Sequence, residues 1–172
     1  MKNILTAILL VALAGTAVAQ GSLKPVAGVY LDKNTKLPVN WLVQAQPADK
    51  ATVKAIVGED GKSIAVSFAP TISHLDFFGN AIGVDAGDKF TLTAKIKGKG
   101  KVKLGYFAYK ANNGFLFYTT GKEFVLSGEE QEISDKFNVN DGKDYHIAKL
   151  RPSVRIGKGT VCEINSVVLT EE

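Results

Sequence analysis

The chain has 172 residues, with 21 basic and 17 acidic side chains and a net charge of +4. That length suits one domain with a sizeable core. The charge is mild and carried by scattered lysines, with no dense basic run, which argues against nucleic-acid or anionic-membrane binding.

The N-terminus reads as an export signal. Lys2 supplies the positive start, Ile4 to Leu13 an apolar run too short to span a bilayer comfortably, and Ala17-Val18-Ala19 a small-x-small cleavage site. A signal peptide is therefore expected over 1–19, and a single domain over 20–172. Its proportions are bacterial, so the product is expected in the periplasm, at the cell surface or outside the cell, with no membrane insertion after processing.

Gln20 to Val29, with Pro25 and Gly28, is expected to be an extended leader, and the next segment holds the only tryptophan, Trp41. Ala51 to Val57 and Ser63 to Phe68 alternate apolar and polar residues around the turn Gly58-Glu59-Asp60-Gly61-Lys62. Thr71 to Val84 is less regular. Residues 87 to 109 alternate on both sides of Gly98-Lys99-Gly100, which predicts two half-buried strands joined by a tight hairpin. Asn112-Asn113-Gly114 is the next turn. Phe115 to Thr119, Lys122 to Leu126 and Gln131 to Val139 follow as strands, the last two split by Ser127-Gly128-Glu129-Glu130. A polar loop at Asn140 to Asp144 precedes a strand over Tyr145 to Ile156. Gly157-Lys158-Gly159 then turns into a final strand, Thr160 to Leu169, where the lone Cys162 is expected to be a buried thiol. About nine short strands and no helical period predict an all-β, antiparallel β-sandwich.

The order of motifs resembles the carbohydrate-binding modules appended to bacterial xylanases and glucanases, in the galactose-binding-like jelly-roll superfamily. The pieces are LPVNW (Leu37 to Trp41), VGEDGKSIAVSF (Val57 to Phe68), VDAGDKFTLTAKIKG (Val84 to Gly98), KVKLGYFAYKANNG (Lys101 to Gly114), FVLSGEEQEISDKFNV (Phe124 to Val139) and LRPSVRIGKGTVCEINSVVL (Leu150 to Leu169). The resemblance implies a jelly roll and a glycan or polysaccharide partner. That family often carries a structural calcium between its first and last strands, and its closing motif usually ends in Ile-Asp-Asp-Val. Here that motif is Ile164, Asn165, Ser166 and Val167, so both carboxylates are replaced and Asp32 and Asn165 remain as weak calcium candidates.

Alternation assigns the candidate ligand face. Val102, Leu104, Tyr106 and Ala108 are expected inward, with Phe107 and Tyr109 outward; Leu150, Pro152, Val154 and Ile156 inward, with Arg151, Ser153 and Arg155 outward. Two aromatics beside two arginines would stack on sugar rings and donate to hydroxyls or uronic carboxylates. The same aromatics also suit cross-strand packing, and Arg151 also suits an ion pair with a neighbouring strand. Trp41 suits either a sugar-stacking ring on a loop or a plug in the core.

Catalysis finds little support. His74 and His146 are not spaced as a metal pair, and Glu129, Glu130 and Glu132 read as a solvated turn. The expected function is a secreted, non-catalytic carbohydrate-binding-like module. The alternative is a structural subunit of an extracellular layer, filament or matrix, a homo-oligomer assembling through sheet edges.

Overall fold

The computed structural model describes residues 41–43, 51–57 and 64–172. The expected signal peptide, the leader, Asp32 and the turn at Gly58 to Lys62 lie outside these residues. Nine strands are described: β1 (Leu42–Val43), β2 (Ala51–Val57), β3 (Ile64–Pro70), β4 (His74–Phe78), β5 (Ile82–Gly83), β6 (Lys89–Tyr109), β7 (Phe115–Asn138), β8 (Lys149–Gly157) and β9 (Val161–Glu171). Every pairing among them is antiparallel.

The strands form one curled sheet in the order β1-β4-β8-β6-β9-β3-β2, with β5 on β8 and β7 on β6. Strand β6 carries the curl. Its first half pairs with β9, from Phe90↔Glu171 to Lys99↔Val161, and its second half with β8, from Val102↔Ile156 to Tyr109↔Lys149. Strand β7 follows β6 through both halves. The sheet thus folds into two leaves that share a bent two-stranded ribbon, a way of turning a sandwich corner without breaking the chain.

The predicted Gly98-Lys99-Gly100 hairpin is therefore corrected: that segment is the bend inside β6. Gly98 and Gly100 take φ values of 149° and 124°, where a side chain is strained. Thr160, fully buried, braces the corner: its Oγ1 accepts from the Lys101 N–H at 2.9 Å and donates to the Lys101 carbonyl at 3.1 Å. The expected break at Ser127 to Glu130 is likewise a bend within β7, with Gly128 at φ 107°. The strand expected from Tyr145 begins at Lys149 instead, because Tyr145 closes a small bridge with Gly142. The turns at Asn113 (φ 65°) and Gly159 (φ 72°) stand where the sequence puts them.

The core lies between the leaves. Phe90, Leu92, Ala94 and Ile96 of β6 are buried, and so are Val102, Leu104, Tyr106 and Ala108 beyond the bend. Phe68 on β3 meets Phe77 on β4 at 5.0 Å between ring centroids, so the leaves touch face to face. Each fully buried Leu or Ile contributes about 1.5–3 kcal/mol of transfer free energy. Cys162 is buried among these residues, and desolvation pushes its thiol up to about 12.

Candidate functional site

The outer face of the second leaf gathers polar and aromatic side chains from four strands. On β8, Lys149, Arg151, Ser153 and Arg155 alternate with the inward residues. Register places Arg151 opposite Phe107 of β6, Arg155 opposite Asp76 of β4, and Ser153 opposite Phe78. Phe107 faces Tyr118 of β7 in turn, and Tyr109 faces Phe115. Period two does this on β4, β6 and β8; on β7, Phe115 and Tyr118 are three residues apart and share a face because the β6/β7 register shifts between Ala108 and Tyr109.

The rings form a continuous cluster. Phe107 lies 4.4 Å from Tyr118, 5.3 Å from Phe78 and 6.4 Å from Phe115, and Tyr109 meets Phe115 edge-on at 5.8 Å. Phe107 is only 7% exposed, so it is the floor of the cluster rather than its contact surface. Phe115 is 59% exposed, while Tyr109, Phe78 and Tyr118 are half-buried, so Phe115 is the most open ring and Tyr109 stands beside it.

The two arginines differ. Arg155 makes a two-pronged bond to Asp76, Nε to Oδ1 and Nη2 to Oδ2, each 2.8 Å. Asp76 is 1% exposed, so this is a buried carboxylate whose charge is matched by a fixed fork. The Asp76 hydrogen bond raises the Arg155 pKa above its ordinary value. The Arg155 guanidinium also sits 4.0 Å above the Tyr118 ring. Burial first, and then the Asp76 charge, push the Tyr118 hydroxyl well above the usual phenol range, so it stays protonated. Among the described residues Arg151 has no such partner. Its guanidinium lies 5.4 Å from the Tyr109 ring and 5.8 Å from Phe78, and its Nε is buried without a hydrogen-bond acceptor. Leaving a buried donor unpaired costs about 1–3 kcal/mol.

A cavity of about 680 Å³ lies elsewhere, bordered by Ile82, Asp85, Asp88, Phe90, His146 and Glu171. At its rim His146 Nδ1 and Asp141 Oδ2 are 2.7 Å apart, and Asp141 Oδ1 accepts from the Ile147 N–H. Among the described lining residues no hydroxyl, thiol or amine stands beside this imidazole as a nucleophile.

No family model and no curated protein sequence matches the chain. Solved structures do. A CBM4 carbohydrate-binding module aligns with a TM-score of 0.55 at 17% identity, covering 77% of this chain and 86% of the module. The CBM22-1 xylan-binding domain of Paenibacillus barcinonensis Xyn10C aligns at 0.52 and 8% identity, covering 84% and 91%. The chain has the fold of carbohydrate-binding modules. A cyclase from Fischerella sp. TAU shares that fold, with a TM-score of 0.54 at 10% identity over 88% of this chain and 98% of the cyclase. Against several longer enzyme chains this one spans only a fifth to about a quarter of their length.

Within this carbohydrate-binding-module fold, Phe107, Tyr109, Arg151 and Arg155 come together on one face, as alternation predicts. Trp41 stands apart from them. It is 4% exposed and stacks on Phe77 at 4.6 Å inside the core, which leaves no ring face for a ligand. Sequence reasoning left Asp76, Phe78, Phe115 and Tyr118 out of the site. Phe115 and Tyr118 were legible as strand aromatics, but alternation puts them on opposite faces, and only the register shift between Ala108 and Tyr109 brings them together. Asn165 donates its amide Nδ2–H to Glu130 on β7. Among the described residues no three His, Cys, Asp or Glu side chains converge as a metal site.

Proposed function

We propose that the chain is an exported, non-catalytic module that holds a polysaccharide on the outer face of β4, β8, β6 and β7. One observation carries the reading: Phe115 and Tyr109 stand side by side at the accessible end of an aromatic cluster that Phe107 and Tyr118 hold rigid from below. Sugar rings present C–H faces that stack on exposed aromatic rings, and a preordered pair loses little entropy on binding. The likeness to carbohydrate-binding modules supports a glycan as partner, and the signal-peptide pattern over 1–19 supports export, which the N-terminus of the secreted product checks by mass spectrometry. Affinity electrophoresis through a panel of soluble polysaccharides tests the binding. Retardation of the wild type that falls about tenfold in Tyr109→Ala and Phe115→Ala is expected; no retardation in any gel rules the reading out. Assembly between copies is the rival, favoured by the exposed Val125 and Val161 on either side of the β6 bend. Large species on size-exclusion chromatography without glycan binding would establish it.

A further inference from the structure

The aromatic face is not electrically neutral, and the imbalance is local. Its buried acid, Asp76, is matched by Arg155 through two hydrogen bonds. Arg151 and Lys149, two residues apart on the same side of β8, have no carboxylate within salt-bridge distance among the described residues. Lys149 is held by a neutral oxygen, Asn113 Oδ1, at 2.8 Å. Arg151 lies against the Tyr109 and Phe78 rings with its Nε shielded and, among the described residues, unpaired, whereas its two Nη atoms are not enclosed in that way. A cation fixed by two rings, short of one acceptor and next to a second cation is a site organised for an anion.

Resting on the glycan-binding reading above, we propose that this face takes an acidic polysaccharide, with Arg151 receiving the carboxylate of a uronic acid residue while a neighbouring sugar stacks on Tyr109 and Phe115. The planar guanidinium matches a carboxylate in two parallel N–H···O bonds, and an anion at its Nη end neutralises the delocalised cation as a whole. Lys149 adds attraction without fixed geometry. Arg155 takes no part, because Asp76 already fills its fork.

The test uses the full secreted chain and pairs of polymers that differ only in charge: polygalacturonate, alginate, hyaluronan and glucuronoxylan, each beside its carboxyl-reduced form, at physiological salt. Wild type is expected to bind at least one acidic polymer about tenfold or more tighter than its reduced partner. Arg151→Gln should lose most of that preference, keeping only the small share Lys149 supplies, and Arg151→Lys should recover only part of it, since it restores charge without the fork. Lys97→Gln, on the other leaf, controls for general charge attraction and should keep the wild-type preference. Near-UV circular dichroism checks that each variant is folded. Equal binding of acidic and reduced forms overturns the inference and leaves the glycan reading standing, and so does binding of neutral polymers alone. A preference that Arg151→Gln leaves undiminished, or that Lys97→Gln abolishes, also overturns it. Failure to bind any polymer of either kind overturns both.

Discussion

At the residue scale, the Asp76–Arg155 pair is where a small change has the largest effect. Asp76 is 1% exposed and Arg155 28%. Removing the arginine would strand a carboxylate in a medium that cannot solvate it. Arg155→Ala is therefore expected to cost about 3 kcal/mol in urea denaturation, while the double change Arg155→Met with Asp76→Leu should recover most of that loss. Equal losses in single and double variants would show that packing, not charge, sets the cost. The Asp141–His146 pair acts differently because it is exposed. The hydrogen bond, and then the Asp141 charge, raise the His146 pKa above 6.5, and the same bond together with that from the Ile147 N–H holds Asp141 below 3.8. A histidine whose folded pKa is raised stabilises the fold fully below its unfolded value and loses that contribution as pH climbs through the folded one. Asp141 adds stability above its unfolded value and loses it as pH falls through the depressed one. Wild type should accordingly lose stability relative to His146→Gln as pH rises from 6 to 8, and a constant difference across that window would refute the pairing. Alternation alone made the outward positions of Arg151 and Arg155 legible. Which of them is neutralised was not, because Asp76 is distant in sequence and reaches Arg155 only through the register of β4 on β8.

At the element scale, the Gly98-Lys99-Gly100 segment shows what local sequence leaves open. Positive φ serves a hairpin and a bend equally well, and the inward parity of Ile96 and Val102 is the same in both. Charge separates the two. A hairpin there would set Lys95 against Lys103 and Lys97 against Lys101, like charges directly opposite. The observed register sets Lys95 against Glu132, Lys97 against Glu130 and Lys103 against Glu123, and Lys101 reaches Glu123 at 2.8 Å. The lysines of β6 and the glutamates of β7 together name the strand partner, so Glu130 and Glu132 are paired strand residues, and Glu129 sits in the bend between Ser127 and Glu130. Because the bend is built around glycine, it is intolerant of side chains. A Cβ on Gly100 would lie 2.4 Å from Thr160 Oγ1 and 2.6 Å from its Cα. Gly100→Ala should therefore lower stability by about 2 kcal/mol or more, from strain at positive φ plus that clash. A thermal melt checks it; an unchanged midpoint would mean the corner is not held as described.

At the scale of the whole molecule, the shared ribbon decides how the protein comes apart. The all-β class and the inward sets were legible from period two, since burial follows alternation wherever one face is dry. That both leaves hang on the same strand was not, because it depends on β6 changing partners from β9 to β8 midway. The consequence is a coupled stability. Neither leaf keeps its central strand if β6 leaves the other, so both should open in one cooperative event, with their inner amides protected by the same free energy. Leu104 is fully buried on the second half of β6, opposite Val154. Leu104→Ala creates a cavity costing at least about 2 kcal/mol, which is roughly a thirtyfold loss of protection. Native-state hydrogen exchange should show that loss at Val154 on β8 and, by the same factor, at Val167 on β9, which lies on the other leaf opposite Ala94. A loss confined to β8 would mean that the bend insulates the leaves. The aromatic face could then loosen by itself, and its rings would no longer count as preordered for a ligand.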